Sequence, residues 1–293
     1  MFDLRYHVAS LAAVFIALVI GILVGVGISD RGLVDKAERG LLEQRINQLE
    51  SDLAAARKRS NSLAAEQRAA QAYIAATYPT LIGNRLLGKR IALVFLGPTD
   101  AKLRTTLERG MVDAGASWAR IRALKLPLDV PAIDRTLAKA GSLNAYVGDA
   151  RLPALGHALA DELANGGDAP LWKALAEQIV AERSGSERPP ADGVVVVRSG
   201  TKQYDGTARF LKGFYRGLIA APVPIVGVEA TSAARSSINA FRRNGISSVD
   251  DVDEETGRLA LVLLLAGGKA GTYGVKPTAH DGILPPLETV TRG

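Results

Sequence analysis

Asp250, Asp251, Asp253, Glu254 and Glu255 form the one concentrated acidic cluster in this 293-residue chain. Carboxylates at that density suit a hard cation or a basic partner. Their spacing is not that of an EF-hand loop, whose ligands alternate up to a glutamate at position 12. The same residues suit the start of a helix. Asp251 and Glu254 stand at capping-box spacing, and negative charge there is favoured by the helix dipole. Other chemistry is thin. His7, His157 and His280 are far apart in sequence and read as lone histidines. Cysteine is absent, which excludes a thiolate nucleophile, a thiolate zinc site, an iron–sulfur cluster and a disulfide. There is no HExxH and no GxSxG, so no catalytic residue is assigned and an enzyme is not expected. Gly83 to Arg90 (GNRLLGKR) nearly matches a P-loop, but Arg90 stands where Ser or Thr should hold Mg²⁺. The stretch also precedes a strand instead of opening a helix. The turn Gly97-Pro98-Thr99-Asp100 lacks the later glycines of a dinucleotide fingerprint, and Thr99 or Asp100 reads as an N-cap. No bound cofactor is expected from these motifs.

Three segments must position whatever chemistry exists. Residues 8–28 carry no charge, and as a helix of about 1.5 Å per residue they match the hydrocarbon thickness of a bilayer. Residues 1–30 are therefore read as a single-pass transmembrane anchor. A cleaved signal peptide is the competing reading, with a shorter apolar run, about 7–15 residues, as its norm. Gly21 and Gly25 form a GxxxG within a stripe of small residues, the kind of face on which two membrane helices approach closely.

Residues 31–78 read as a coiled-coil stalk. Leu42, Ile46, Leu49, Leu53, Ala56, Ser60, Leu63, Gln67, Ala70 and Ile74 follow a 4,3 spacing without a break. With Ile46 at position a, the g–e pairs Arg45–Glu50 and Asp52–Arg57 are of opposite charge across a parallel dimer. The expectation is a parallel homodimer with Gly21, Gly25, Leu42, Ile46, Leu49, Leu53 and Leu63 at its interface. A helix packed on its own domain is the alternative. Tyr78-Pro79 is expected to end the helix, because the residue before proline is pushed out of the α region.

Residues 88–293 read as one α/β domain, Rossmann-like, with a mostly parallel sheet and helices on both faces. Strands are expected at 90–96, 118–124, 193–198, 224–228 and 246–249, with a further one at 144–148. Helices are expected at 100–114, 132–140, 152–163, 171–182, 207–220, 233–243 and 254–265, and a loop at 184–192. A net charge of +6 and 5% aromatics fall short of a nucleic-acid binder, which would concentrate its basic and aromatic residues.

The N-terminal run Asp3-Leu4-Arg5-Tyr6-His7-Val8-Ala9-Ser10-Leu11, the segment Gly21 to Gly27, the heptads, Ser247 to Asp253 (SSVDDVD) and Tyr273-Gly274-Val275-Lys276 together resemble the MctB-like family of actinobacteria. The resemblance covers nearly the whole chain. It implies a cell-envelope protein of copper transport or homeostasis, with the stalk and α/β domain outside the cytoplasmic membrane. If the chain itself meets copper, the resemblance points to Asp250, Asp251, Asp253 and His280. A related corynebacterial protein, SteB, belongs to a septal complex that promotes daughter-cell separation. That implies a second role, a coiled-coil scaffold for envelope or septal proteins without copper. Copper(I) prefers thiolate or thioether ligands, and beyond Met1 there is only Met111.

Overall fold

A computed structural model describes residues 4–27, 31–198 and 200–287. The chain divides into two compact units, residues 1–70 and 71–293. In the first, α1 (Leu4–Gly27) is apolar throughout its centre, and its stretch His7–Val26 is long and apolar enough to cross a membrane. Helix α2 (Arg31–Ile82) begins in this unit, and its residues 71–82 belong to the second. Leu42, Ile46, Leu49, Leu53 and Leu63 all lie exposed along α2, each at least half accessible. Such exposure of large aliphatic side chains at regular spacing is costly in water, at roughly 25 cal/mol per Å² left uncovered.

The second unit is built in chain order from β1 (Arg90–Leu96), α3 (Ala101–Asp113), β2 (Ser117–Leu124), α4 (Val130–Lys139), α5 (Leu152–Asn165), α6 (Pro170–Ala174), α7 (Ala176–Ile179), β3 (Val180–Gly185), β4 (Gly193–Arg198), α8 (Asp205–Ala220), β5 (Ile225–Val228), α9 (Ile238–Arg243), β6 (Ser247–Val249), α10 (Glu255–Leu265) and β7 (Thr272–Tyr273). The strands form one sheet in the order β3-β2-β1-β4-β5-β6-β7, all parallel except β3, which pairs antiparallel with β2. Continuous apolar strands such as RIALVFL and GVVVV suit a sheet covered on both faces. Alternate side chains serve the two faces: Ala92, Val94, Val194 and Val196 meet α4, α5, α8 and α9. Ile91, Leu93, Phe95, Val195 and Val197 meet α3, α10 and the end of α2.

Several expectations are corrected. Helix α2 passes Tyr78-Pro79 and ends at Ile82. Proline removes one intrahelical bond there, but burial of Tyr78, Ile82 and then Leu86 in the core outweighs it. The Tyr78 hydroxyl also accepts from Arg258 Nε at 3.2 Å. Residues 144–148 are not a strand: Gly141–Tyr146 is a 3-10 helix. The expected helix over 171–182 breaks into α6 and α7 and turns into the edge strand β3, which runs into the expected loop. Its exposed side chains gave no apolar pattern to read, and its antiparallel hydrogen bonds to β2 supply the order. Helix α9 starts only at Ile238. Helix α10 starts at Glu255, and its N-cap residue Glu254 makes no side-chain cap bond, so the capping box does not form.

Two buried arginines on β2 tie the long loop before β4 to the core. Arg120 donates to the carbonyls of Glu162, Leu163 and Pro189. Arg122 donates to the Ser184 carbonyl and pairs with Glu187. Burial holds the Arg120 guanidinium below its usual range of basicity.

Candidate functional site

In an open α/β sheet, the chain leaves β1 toward β2 on one side and returns to β4 on the other. The two connections diverge, and a crevice opens at the carboxyl ends of the strands at that point. Here a cavity of about 420 Å³ lies there. Pro98 and Asp100 follow β1, Arg198 and Thr201 come from the end of β4, and Glu229 and Arg235 follow β5. Asp100 caps α3, accepting from the amides of Lys102 at 2.9 Å and Leu103 at 3.1 Å. That satisfies the first amides of α3 within the chain. Arg198 donates to the Tyr215 hydroxyl at 3.1 Å, and its guanidinium lies 5.9 Å from the centre of that ring.

One wall of the crevice is held by a buried polar knot. Glu229 is almost fully buried; it accepts from Lys276 Nζ at 2.8 Å and from the Ser237 amide. Lys276 also donates to the carbonyl of Ala230 at 2.7 Å. Asp250, fully buried at the end of β6, accepts from the amides of Val275 at 2.9 Å and Lys276 at 3.3 Å. Thr278 adds its hydroxyl to the same carboxylate at 3.4 Å. The segment after β7 is thereby strapped over the ends of β5 and β6. The blocks SSVDDVD and YGVK, 20 residues apart in sequence, are the two halves of one hydrogen-bonded structure. Gly274, at φ +135, brings the strap so close to Asp250 that a Cβ at that position would collide with the carboxylate.

The sequence-derived candidate ligands divide among different tasks. Asp250 serves the strap. Asp253 accepts from the amide and hydroxyl of Thr231, at 2.6 and 3.0 Å, pinning the loop after β5. Asp251 is fully buried; Oδ2 accepts from Thr256 at 3.1 Å, and Oδ1 has no partner among the described residues. Burial is the main cause that pushes its carboxyl up to about 6, with the charges of Asp250 and Asp253 adding to it against the Thr256 hydrogen bond. His280 lines a separate cavity with Ser247, Thr272 and Asp281, at the amino-terminal ends of β6 and β7, whereas Asp250 follows the carboxyl end of β6. Its amide donates to Thr272 Oγ1 at 3.0 Å. Among the described residues, no group of three or more His, Asp or Glu side chains is placed to hold one metal ion. Met111, the soft ligand within the α/β unit, is buried in the core.

Sequence reading missed Arg198, Arg235 and Glu229 as site residues. Arg198 carried a signal, because it closes the most apolar strand of the chain at its carboxyl end. Glu229 and Arg235 carried none, since their proximity depends on the sheet order.

In the first unit, the described interface candidates make no contact that would test them. Gly21 and Gly25 have nothing within 4 Å of where a Cβ would be, and the α2 seam is bare. The apolar helix fits membrane anchoring. No curated protein matches this sequence. The family model described as copper transport outer membrane protein, MctB, matches residues 1–284, and the chain belongs to that family.

Proposed function

We propose that this chain is a membrane-anchored, non-catalytic envelope protein of copper transport that works as a parallel homodimer, with its α/β unit on the extracytoplasmic side. The observation that carries the reading is the regularly spaced seam of α2, whose Leu42, Ile46, Leu49, Leu53 and Leu63 lie exposed along a helix that follows a membrane-length apolar one. A second copy covers such a seam by knobs-into-holes packing. The charges beside it are consistent with that partner. All ion pairs found among the described residues lie in the α/β unit, so Arg45, Glu50, Asp52 and Arg57 are available to pair between chains. Copper is cargo in this reading, not a resident cofactor. The residues do not fit a tight site for it, since thiolates are absent and the carboxylates of Asp250 and Asp253 already hold backbone and hydroxyl donors. The chain thus serves copper transport through what it assembles with.

The engagement of those carboxylates also favours a second reading, a scaffold in a septal complex that separates daughter cells, with copper irrelevant. Both readings share the dimer, and one experiment tests it. The chain has no cysteine, so Ser60→Cys, at position a, introduces a single thiol. Under mild oxidation of the membrane-embedded full chain, a parallel pair gives a disulfide-linked dimer, because equivalent a positions face each other. A product that stays monomeric removes the parallel coiled coil and this proposal with it. A deletion strain then divides the readings: copper sensitivity with normal septation supports the first, and chained cells with normal copper tolerance supports the second.

A further inference from the structure

We propose that the crevice at the carboxyl ends of β1, β4 and β5 binds the phosphate or carboxylate group of a small molecule, with Arg198 and Arg235 as its anion-binding residues. The position is where an open α/β sheet leaves room for a ligand, and about 420 Å³ is within the range of small-molecule sites. The charge balance inside the crevice sets the chemistry. Its two carboxylates are already answered within the chain: Glu229 by Lys276 and the Ser237 amide, Asp100 by two amides of α3. The two arginines that line it are not. Among the described residues, neither Arg198 nor Arg235 has a carboxylate within ion-pair distance, and Arg198 is held only by a neutral hydroxyl and an aromatic face.

Those Tyr215 contacts fix the Arg198 side chain while leaving donors of its planar fork unspent, and that fork matches phosphate or carboxylate geometry. Arg198 also lines a second cavity, together with Lys212, Tyr215 and Asn244. Arg235 comes from the loop after β5, which packs tightly on the loop after β4: a Cβ at Gly200 would collide with the Arg235 backbone. The two arginines are thus brought to one opening by facing loops. The mode differs from that of a dinucleotide site. Asp100 occupies the N-terminus of α3, so side-chain guanidinium groups take the place of helix amides as anion donors. The strap residues Asp250 and Lys276 act as positioning residues, since they hold Glu229 neutralised at the wall.

The test is calorimetric titration of the full chain in detergent micelles with inorganic phosphate, ribose 5-phosphate and succinate in separate arms. The expected result is saturable binding of at least one probe at millimolar concentration or below. Arg235→Gln, an exposed residue whose loss does not threaten the fold, should weaken it about tenfold or more, as should Arg198→Met. Arg109→Gln, exposed on α3 away from the crevice, should leave it unchanged. The arms decide whether phosphate or carboxylate is preferred. The proposal is overturned if no probe binds, or if binding survives both arginine substitutions. The copper and dimer readings do not enter this outcome.

Discussion

Asp250 and Asp251 are neighbours in the chain and opposites in their surroundings. Asp250 is satisfied by two amides and a hydroxyl, and Asp251 keeps one buried oxygen without a partner. Removing Asp250 leaves the amides of Val275 and Lys276 without that acceptor and a gap where a buried carboxylate stood. Asp250→Ala should therefore cost about 3 kcal/mol of stability, read as a lower denaturation midpoint in the fluorescence of Trp118 and Trp172. Asp251 predicts a pH dependence of the other kind. Its carboxyl rises from 3.8 to about 6 on folding, so folding favours the protonated form. The stability it contributes is present in full below pH 3.8 and is lost as pH rises through about 6. The amount is at most roughly 3 kcal/mol, at 1.36 kcal/mol per pH unit. Asp251→Asn should remove that slope, so that wild type and variant separate between about pH 4 and 6 and the variant stays the more stable above that range. Equal stability of the two at pH 8 would contradict the assignment. The sequence made this acidic cluster conspicuous, but its meaning depends on partners 20 or more residues away, which spacing alone does not supply.

At the scale of elements, α5 and α8 pack backbone against backbone. The contact is made by glycines: a Cβ at Gly156 would meet the Phe210 carbonyl, at Gly213 the Pro153 carbonyl, and at Gly217 the His157 backbone. Backbone meets backbone, so no flexible side chain can move aside. Gly213→Ala should destabilise by about 1–3 kcal/mol or more through forced separation of the helices, measured by chemical denaturation. Gly141→Ala, in open space at a negative φ, is the control and should change stability by less than about 0.5 kcal/mol. The elements legible in the sequence were those with an apolar period, such as β1, β4, α8 and α10. Those that escaped it are ordered by neighbours. β3 exposes nearly every side chain, β7 is two residues long, and α6 and α7 are single turns, the first held by Glu162, whose carboxylate accepts from the amides of Leu171 and Trp172. In the same way the expected stop at Pro79 failed because tertiary burial of Tyr78 and Ile82 overrides a local preference.

On the scale of the whole molecule, the prediction concerns association. If the seam of α2 is the interface, replacing Ile46 and Leu53 together by Asp puts four like charges into the a layers of a pair. The full chain in micelles should then fall from dimer to monomer by light scattering, while the Trp fluorescence midpoint of the α/β unit stays within experimental error. Dimers that persist in that variant would assign the association elsewhere. The long apolar helix and the α/β class were legible from pattern alone, since each rests on a period or a run. The crevice was not, because it exists only once β1, β2 and β4 have taken their order in the sheet.

The strap has a consequence for synthesis. A chain emerges from its N-terminus, so Glu229 and Asp250 are made before the residues that neutralise and cap them. Until Lys276 is added, the sheet can close only with Asp250 buried and unanswered and with Glu229 lacking its ion-pair partner, a state that costs several kcal/mol. A truncated product ending before Tyr273 would therefore carry every helix of the unit and still be open to proteases, so that completeness of the chain is read out as resistance to degradation.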